Sequence, residues 1–361
     1  MDFSYREPSS LQEAVLMMEE AVSDHKTVRY LAGGTDLFPL LKRDVMRPDM
    51  VINLKHIEGL DGIEEDASEV RIGSLVSLHQ ISRSEVLKEW APALQAASDR
   101  AATPALRNMG TIGGNLFQTG RCPYFNQSGQ FRAGVAPCYS RGGHLCHKDS
   151  ESRRCIRILM SELVPPLIAE EAQAVLYSSQ GERIVPLREL YDVRLFSSKI
   201  RRGEILTQIR IPKKSGNWRE CYERMAARKT IDYPAVNMGI RVEMDSDGCV
   251  CRSIQCVFGS VGCGPMILEK TGRFLEGNGF TERVILEAAD LAVEEITPYA
   301  VASLEFPVWY RLEMVRKMLR DALMSLTRAP QDPGKENAET AENAVHTEKG
   351  GAEEDDGICA V

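Results

Sequence analysis

The sequence predicts an α+β protein of two folded domains followed by a disordered acidic tail, on three observations. Its 361 residues exceed what one hydrophobic core usually serves. Apolar residues recur at helical spacing in some stretches and form short strand-like runs in others. A polar turn cluster, "KKSGN" from Lys213, separates two such patterned regions, so the domains are expected at 1–213 and 214–327. Residues 328–361 break the pattern. They hold nine acidic and three basic side chains, little that is apolar and no periodicity, which is the composition of a disordered segment.

The opening stretch reads as an amphipathic helix, because Leu11, Ala14, Val15, Met18 and Val22 share one face and Ser9 with Gln12 fits a capping box. "TVRYLA" reads as a buried strand that ends in "GGTD" and gives way to a helical "LFPLLKR". After a strand at "MVINLK" comes "VRIGSLVSLHQI", then a helical stretch to about Ala102. "LVPPLIAEEAQAVLYS" and "ERIVPLRELY" are strand-rich α+β structure closing with "EILTQIRIP". Past the boundary, "GIRVEMDSDGCVCRSIQCVFGSV" predicts a hairpin turning at Asp247-Gly248, and helical patterns follow at about 281–296 and 307–326.

Charge and hydropathy narrow the function classes. The tail carries −6 of the formal −8, which leaves −2 on the folded part. A near-neutral body without a basic stripe and interleaved aromatics argues against nucleic-acid binding. No apolar run approaches the roughly 20 residues that span a bilayer. The start, "MDFSYREPSS", lacks the basic-then-apolar layout of a signal peptide, so a cytoplasmic location without membrane attachment is expected.

Two glycine-rich turns are the first candidate site. Gly33-Gly34-Thr35-Asp36 joins a strand to a helix, a junction that aims backbone N–H groups at one point and lets a bulky anion approach. Such a turn can be a phosphate cradle, but taken alone it reads more readily as an ordinary tight turn, since a double glycine is common. Gly110-Thr111-Ile112-Gly113-Gly114-Asn115 is a poor core segment and a good nest of donors. It matches neither the G-x-G-x-x-G fingerprint nor a P-loop. Two cradles suit a pyrophosphate gripped from both sides, as in a dinucleotide.

"YLAGGTDLFPLLKR", then "GTIGGNL" some 75 residues on, then "SELVPPLIAEEAQAVL" and "GEILTQIRIP", resemble the FAD-binding subunits of molybdenum hydroxylases, the xanthine and carbon monoxide dehydrogenase relatives. The resemblance covers about residues 1–325. It implies a two-subdomain FAD domain of the vanillyl-alcohol-oxidase type with a smaller α+β domain behind it. It also implies cofactor contacts from Leu31, Ala32, Gly33, Gly34, Thr35 and Asp36, from Thr103, and from Gly110, Thr111, Ile112, Gly113, Gly114 and Asn115. Leu206 is a further implied neighbour. Glu162 stands where the family usually has an aspartate, and Arg224 where it has a lysine, a change that keeps the charge and alters the hydrogen-bond geometry.

The second candidate site is "RCPYFNQSGQFRAGVAPCYSRGGHLCHKDSESRRC", residues 121–155, with Cys122, Cys138, Cys146 and Cys155. Their spacing contains no C-x-x-C, so zinc-ribbon and bacterial ferredoxin patterns do not apply. Spacing alone leaves both a metal site and unrelated thiols open; a loop of this length without its own structure is usually functional, which favours a site. The stretch has six basic and two acidic residues, a local excess that would stabilise a negative thiolate-bound metal centre. His144 and His147 are candidate ligands by residue type, but read rather as solvated loop residues. Cys249, Cys251 and Cys256 read as buried strand residues, Cys221 and Cys263 as single thiols, and Cys359 as part of the tail.

Most members of the resembled family lack this insertion, and its place is similar to that in the β subunits of 4-hydroxybenzoyl-CoA reductases, which carry a 4Fe-4S cluster. The similarity implies that Cys122, Cys138, Cys146 and Cys155 are ligands of one such cluster in an insertion over 121–156. It also implies an electron-transfer subunit in a heterohexamer, with molybdopterin and 2Fe-2S centres on partner subunits and a ferredoxin-like donor. No residue of this chain is expected to act as acid or base. Two other readings stand beside it: the FAD subunit of an oxidative xanthine or aldehyde dehydrogenase type of enzyme, and a zinc-stabilised binding or assembly module.

Overall fold

A computed structural model describes residues 3–228, 231–303 and 305–327. The expected acidic tail, with Cys359, lies outside the described residues. Helices and sheets are both present, so the chain is α+β as expected.

The chain first forms a small parallel sheet. Strand β1 (Ser4–Arg6), helix α1 (Leu11–Ser23), β2 (Val28–Leu31), α2 (Leu37–Lys42) and β3 (Met50–Asn53) give the order β1-β3-β2. Helical crossovers make the strands parallel, since a parallel partner cannot be reached by a tight turn. Helix α1 buries Ala14, Val15, Met18 and Ala21 in a cluster with Val28 and Ile52. Its cap lies one residue later than expected. Ser10 Oγ accepts the Glu13 N–H at 3.2 Å, and the Glu13 carboxylate returns to the Ser9 N–H at 2.7 Å. Ser10, not Ser9, is therefore the N-cap, and Glu13 reaches past it to the preceding N–H instead of closing a capping box on Ser10.

A five-stranded antiparallel sheet follows, in the order β4-β5-β8-β6-β7, with β4 (Ile63–Glu65), β5 (Glu69–Gly73), β6 (Gln173–Ser178), β7 (Gly181–Pro186) and β8 (Ile205–Pro212). Between β5 and β6 the single helical stretch expected to Ala102 is divided into α3 (Leu78–Arg83), α4 (Glu85–Trp90) and α5 (Pro92–Arg100). Ser84 ends one helix and caps the next with its side chain, and Pro92 opens the third. Helices α6 (Pro104–Met109), α7 (Ile112–Leu116), α8 (Gly129–Ala133) and α9 (Val164–Ala169) complete this region. Val70, Ile72, Leu94, Leu163, Leu167 and Ile209 form its core.

The last unit is a four-stranded antiparallel sheet, β12-β11-β10-β9, with β9 (Asn217–Met225), β10 (Val236–Met244), β11 (Cys251–Gly259) and β12 (Met266–Ile267). Helices α10 (Glu269–Leu275), α11 (Glu282–Ile296) and α12 (Val308–Thr327) share its core. The β10–β11 hairpin turns as its Asp-Gly pair predicts: Gly248 sits at φ +69°, and Asp245 Oδ1 accepts the Cys249 N–H at 2.7 Å. Cys251 and Cys256 are buried, whereas Cys249 is exposed, because the turn claims it before β11 begins. Helix α9 lies on this sheet. A Cβ at Gly239 would stand 2.5 Å from the Pro166 Cα, so the glycine is what permits the contact. Among the described residues no helix is long and apolar enough to cross a membrane.

Candidate cofactor sites

Ala32 to Asp36 join β2 to α2, with Gly34 at φ +74°, a conformation that costs glycine little. The second turn runs from α6 through Gly110 into α7. Thr103 Oγ1 caps α6 by accepting the Leu106 N–H at 3.2 Å, and Thr111 Oγ1 caps α7 by accepting the Gly114 N–H at 3.1 Å. The two turns abut: a Cβ on Gly33 would collide with the Met109 carbonyl oxygen. Gly113 similarly presses on Ser74, whose carbonyl oxygen would be 2.9 Å from an added Cβ.

Opposite sides of this junction open into two cavities. The larger, about 380 Å³, is lined by Ala32 to Asp36, by Thr111, Gly113 and Gly114, and by Leu206 of β8, with Met18, Leu40, Leu54 and Leu75 as an apolar wall. The smaller, about 160 Å³, shares Thr35, Asp36, Thr111 and Gly114 with it and adds Gly110, Asn115 and Glu162. Most of the expected contact residues therefore converge. Leu31 and Ile112 are buried, and neither they nor Thr103 line either cavity. Ile112 opens α7 and turns into the core while the glycines after it face the junction. Thr103 is committed to its helix cap.

Glu162 is buried at the rear of the smaller cavity. The Tyr222 hydroxyl donates to its Oε2, and Arg224 Nε lies 3.3 Å from its Oε1. Arg224 lines neither cavity itself; it acts from β9 through this carboxylate. Burial pushes the Glu162 carboxyl up to about 7 against the pull of the Arg224 charge. Ser161 beside it donates to Asn115 Oδ1 at 2.6 Å, and Asn237 Nδ2 donates to the Ser161 carbonyl at 2.9 Å. The carboxylate is thus held by the last sheet, while Ser161 beside it ties the same segment to the second turn.

Sequence reasoning missed Gln118 and Arg121. Gln118 lines both cavities and donates to the Asn115 carbonyl at 2.9 Å, one helical turn after the second glycine motif. Arg121 lines the smaller cavity, pairs with Asp36 of the first turn and lies 5.1 Å over the Tyr233 ring. Helical spacing from Asn115 could have found the first. The second needed the fold.

Arg121 also starts the cysteine segment, whose two ends are zipped by a bridge. The Arg121 N–H donates to the Ile158 carbonyl at 2.7 Å, and the Ile158 N–H donates back at 3.0 Å. None of residues 121–155 is buried, so the loop has no apolar core of its own. Yet Cys122, Cys138, Cys146 and Cys155 all line one cavity. The N–H groups of Tyr124 and Phe125 point at the Cys122 sulfur, and the Ser140 hydroxyl lies 2.9 Å from the Cys155 sulfur. Among the described residues no three His, Cys, Asp or Glu side chains come together closely enough to hold a single metal ion. His147 lines the same cavity, with Nε2 2.8 Å from the Ala136 carbonyl oxygen and its ring stacked on Tyr124; His144 does not line it.

Residues 1–214 match the family described as the FAD binding domain in molybdopterin dehydrogenase, and residues 220–326 match the CO dehydrogenase flavoprotein C-terminal domain. The carbon monoxide dehydrogenase medium chain of Afipia carboxidovorans is 29% identical over 321 residues, covering 89% of this chain and 95% of its own. The nicotinate dehydrogenase FAD-subunit of Eubacterium barkeri is 23% identical, covering 90% and 96%. Among solved structures, CO dehydrogenase from Oligotropha carboxidovorans superposes with a TM-score of 0.72 at 26% identity, covering 91% of this chain and 98% of that one. Paired glycine turns, their flanking cleft and these matches agree: the chain belongs to the FAD-binding medium subunits of the molybdenum hydroxylase family, oxidoreductase subunits that work within multi-subunit molybdenum enzymes.

Proposed function

We propose that this chain carries one FAD and one 4Fe-4S cluster and relays electrons within a molybdenum enzyme of the 4-hydroxybenzoyl-CoA reductase type. The observation that carries this reading is the convergence of four cysteines, dispersed over 34 residues, on one cavity whose loop begins at the arginine paired with the first glycine turn. The residues present fit both groups. Abutting turns rich in N–H groups suit a pyrophosphate, so Ala32 to Asp36 and Thr111 to Asn115 would hold it, with Leu206 and Glu162, the latter braced by Arg224, as further contacts from the cavity walls. Cys122, Cys138, Cys146 and Cys155 hold the cluster, with amide and hydroxyl donors at their sulfurs as iron–sulfur ligation favours.

When bound, a flavin and an iron–sulfur cluster together allow single electrons and electron pairs to be exchanged. The chain's own work is to bind, orient and screen them. Arg121 ties the two sites mechanically, since it neighbours Cys122 in sequence and grips Asp36 in space. Molybdopterin and 2Fe-2S centres belong to large and small partner subunits in a heterohexamer, a ferredoxin-like protein is the donor, and the setting is a reducing cytoplasm. Free thiols at all nine described cysteines agree with that setting.

A second reading, the FAD subunit of an oxidative xanthine or aldehyde dehydrogenase type of enzyme that passes electrons from the substrate being oxidised to an acceptor, is favoured by the relatives named as carbon monoxide and nicotinate dehydrogenases. Metal and flavin analysis of the purified complex separates these from a zinc module. About four irons and one FAD for each such chain is the expected result; a flavin-free chain with one zinc overturns the reading. Reduction of the bound cluster by a low-potential ferredoxin then distinguishes the reductive direction from the oxidative one.

A further inference from the structure

Arg157 has no role in the reading above, and its surroundings are unusual for an arginine. It lines the four-cysteine cavity. Its guanidinium lies between two aromatic rings, 4.1 Å from the centroid of Phe125 and 3.9 Å from that of Phe196. Phe125 belongs to the cysteine loop, whereas Phe196 belongs to the segment leading into β8, so the clamp joins the loop to the body of the protein. Gly120 makes room for it: a Cβ there would stand 2.5 Å from the Phe196 Cβ and 3.1 Å from the Arg157 Cβ. The Cys155, Cys122 and Cys138 thiols lie within electrostatic reach of the guanidinium, while its Nε is buried without a hydrogen-bond partner.

A largely buried cation is costly unless negative charge faces it. Arg157 turns toward three thiols, and a clamp of two rings stops it from swinging into solvent. Lys148 also lines the cavity and brings a second positive charge near Cys122 and Cys146, with its Nζ donating to the Ile156 carbonyl at 3.2 Å; Arg157 differs from it in being held by the ring clamp.

We propose that Arg157 is the fixed counter-charge of the four-cysteine centre and sets its reduction potential. The inference rests on the 4Fe-4S reading. When the donor passes one electron to the cluster, the centre becomes more negative by one charge and no bond is made or broken. A guanidinium held against the sulfurs stabilises that reduced state more than the oxidised one, so it raises the potential. Arg157 is a positioning residue, since it tunes the centre without ligating iron.

The test is an EPR-monitored redox titration of the intact complex carrying native chain, Arg157→Gln, Arg157→Lys or Phe196→Leu, with iron and FAD counted in each. Arg157→Gln is expected to keep iron and FAD while its one-electron equilibrium moves about tenfold toward the oxidised cluster, which is 59 mV. Arg157→Lys retains most of the native potential, and Phe196→Leu, which opens the clamp from outside the loop, gives a smaller fall in the same direction. The flavin potential is the internal reference and stays in place. Native potential in an iron-replete Arg157→Gln chain overturns the inference and leaves the 4Fe-4S reading intact. If that variant fails to hold iron, an unmoved potential in Phe196→Leu overturns it instead. A native complex without iron on this chain defeats the 4Fe-4S reading itself.

Discussion

The glycine cleft and the cysteine loop are built on opposite principles. The cleft is pre-formed: its turns hang from buried strands and helices, and Gly33 is pressed against Met109 whether or not a ligand is there. The loop buries nothing between residues 121 and 155, and what holds it is the bridge at its neck, the Arg157 clamp and the convergence of its thiols. One site has its geometry supplied by the fold. The other, on the proposed reading, would complete its geometry with the cluster it binds, as structural metal sites do. Mutations should therefore separate the two sites cleanly.

The largest effect is expected at the point where the turns touch. Gly33→Val drives a side chain into the Met109 carbonyl and parts the turns, so FAD retention should fall by more than about 100-fold, on the scale of a severe backbone clash. Iron content should stay native, as measured by flavin and iron assay of the purified variant; joint loss of both cofactors would break the contrast. Cys138→Ser is the reciprocal change. It should lose about four irons while keeping FAD, and it should shift thermal unfolding little, because none of residues 121–155 is buried. Unchanged iron would refute the ligand assignment.

The smallest effect concerns pH. Glu162 titrates near 7 when folded and near 4.5 otherwise, so folding takes up a proton between those values. The contribution of this group is then fully present below about 4.5, declines as pH rises, and is lost above about 7. Glu162→Gln should flatten that decline, which melting curves across the interval can detect as a shift of a few degrees. A native slope in the variant would mean that another group titrates there.

Local signals made much of the fold legible. Helical spacing marked α1, α11 and α12, the Asp-Gly pair marked the last hairpin, and the glycine turns marked the cleft. What stayed hidden was set by partners far along the chain. Nothing near Glu162 announces Tyr222 and Arg224, which β9 carries, and nothing near Arg157 announces Phe196, which lies in the irregular segment before β8. Shifts of one residue were equally invisible, since Ser9 and Ser10 offer the same hydroxyl and only the reach of Glu13 decides between them. Thr103 and Ile112 show the same limit from the other side. Both belong to the motif by sequence, yet one serves a helix end and the other the core.

The neck of the cysteine loop has one more consequence. Arg121 and Ile158 exchange two backbone hydrogen bonds, so the chain leaves the flavin frame and returns to it at almost the same place. A segment with such a joint is detachable: cutting out residues 122–157 and closing the gap with a short turn keeps both ends where the frame needs them. By the same logic, a related frame without the loop has a ready acceptor point at this position, and a second redox centre becomes something that can be grafted on rather than something around which the fold must be redesigned.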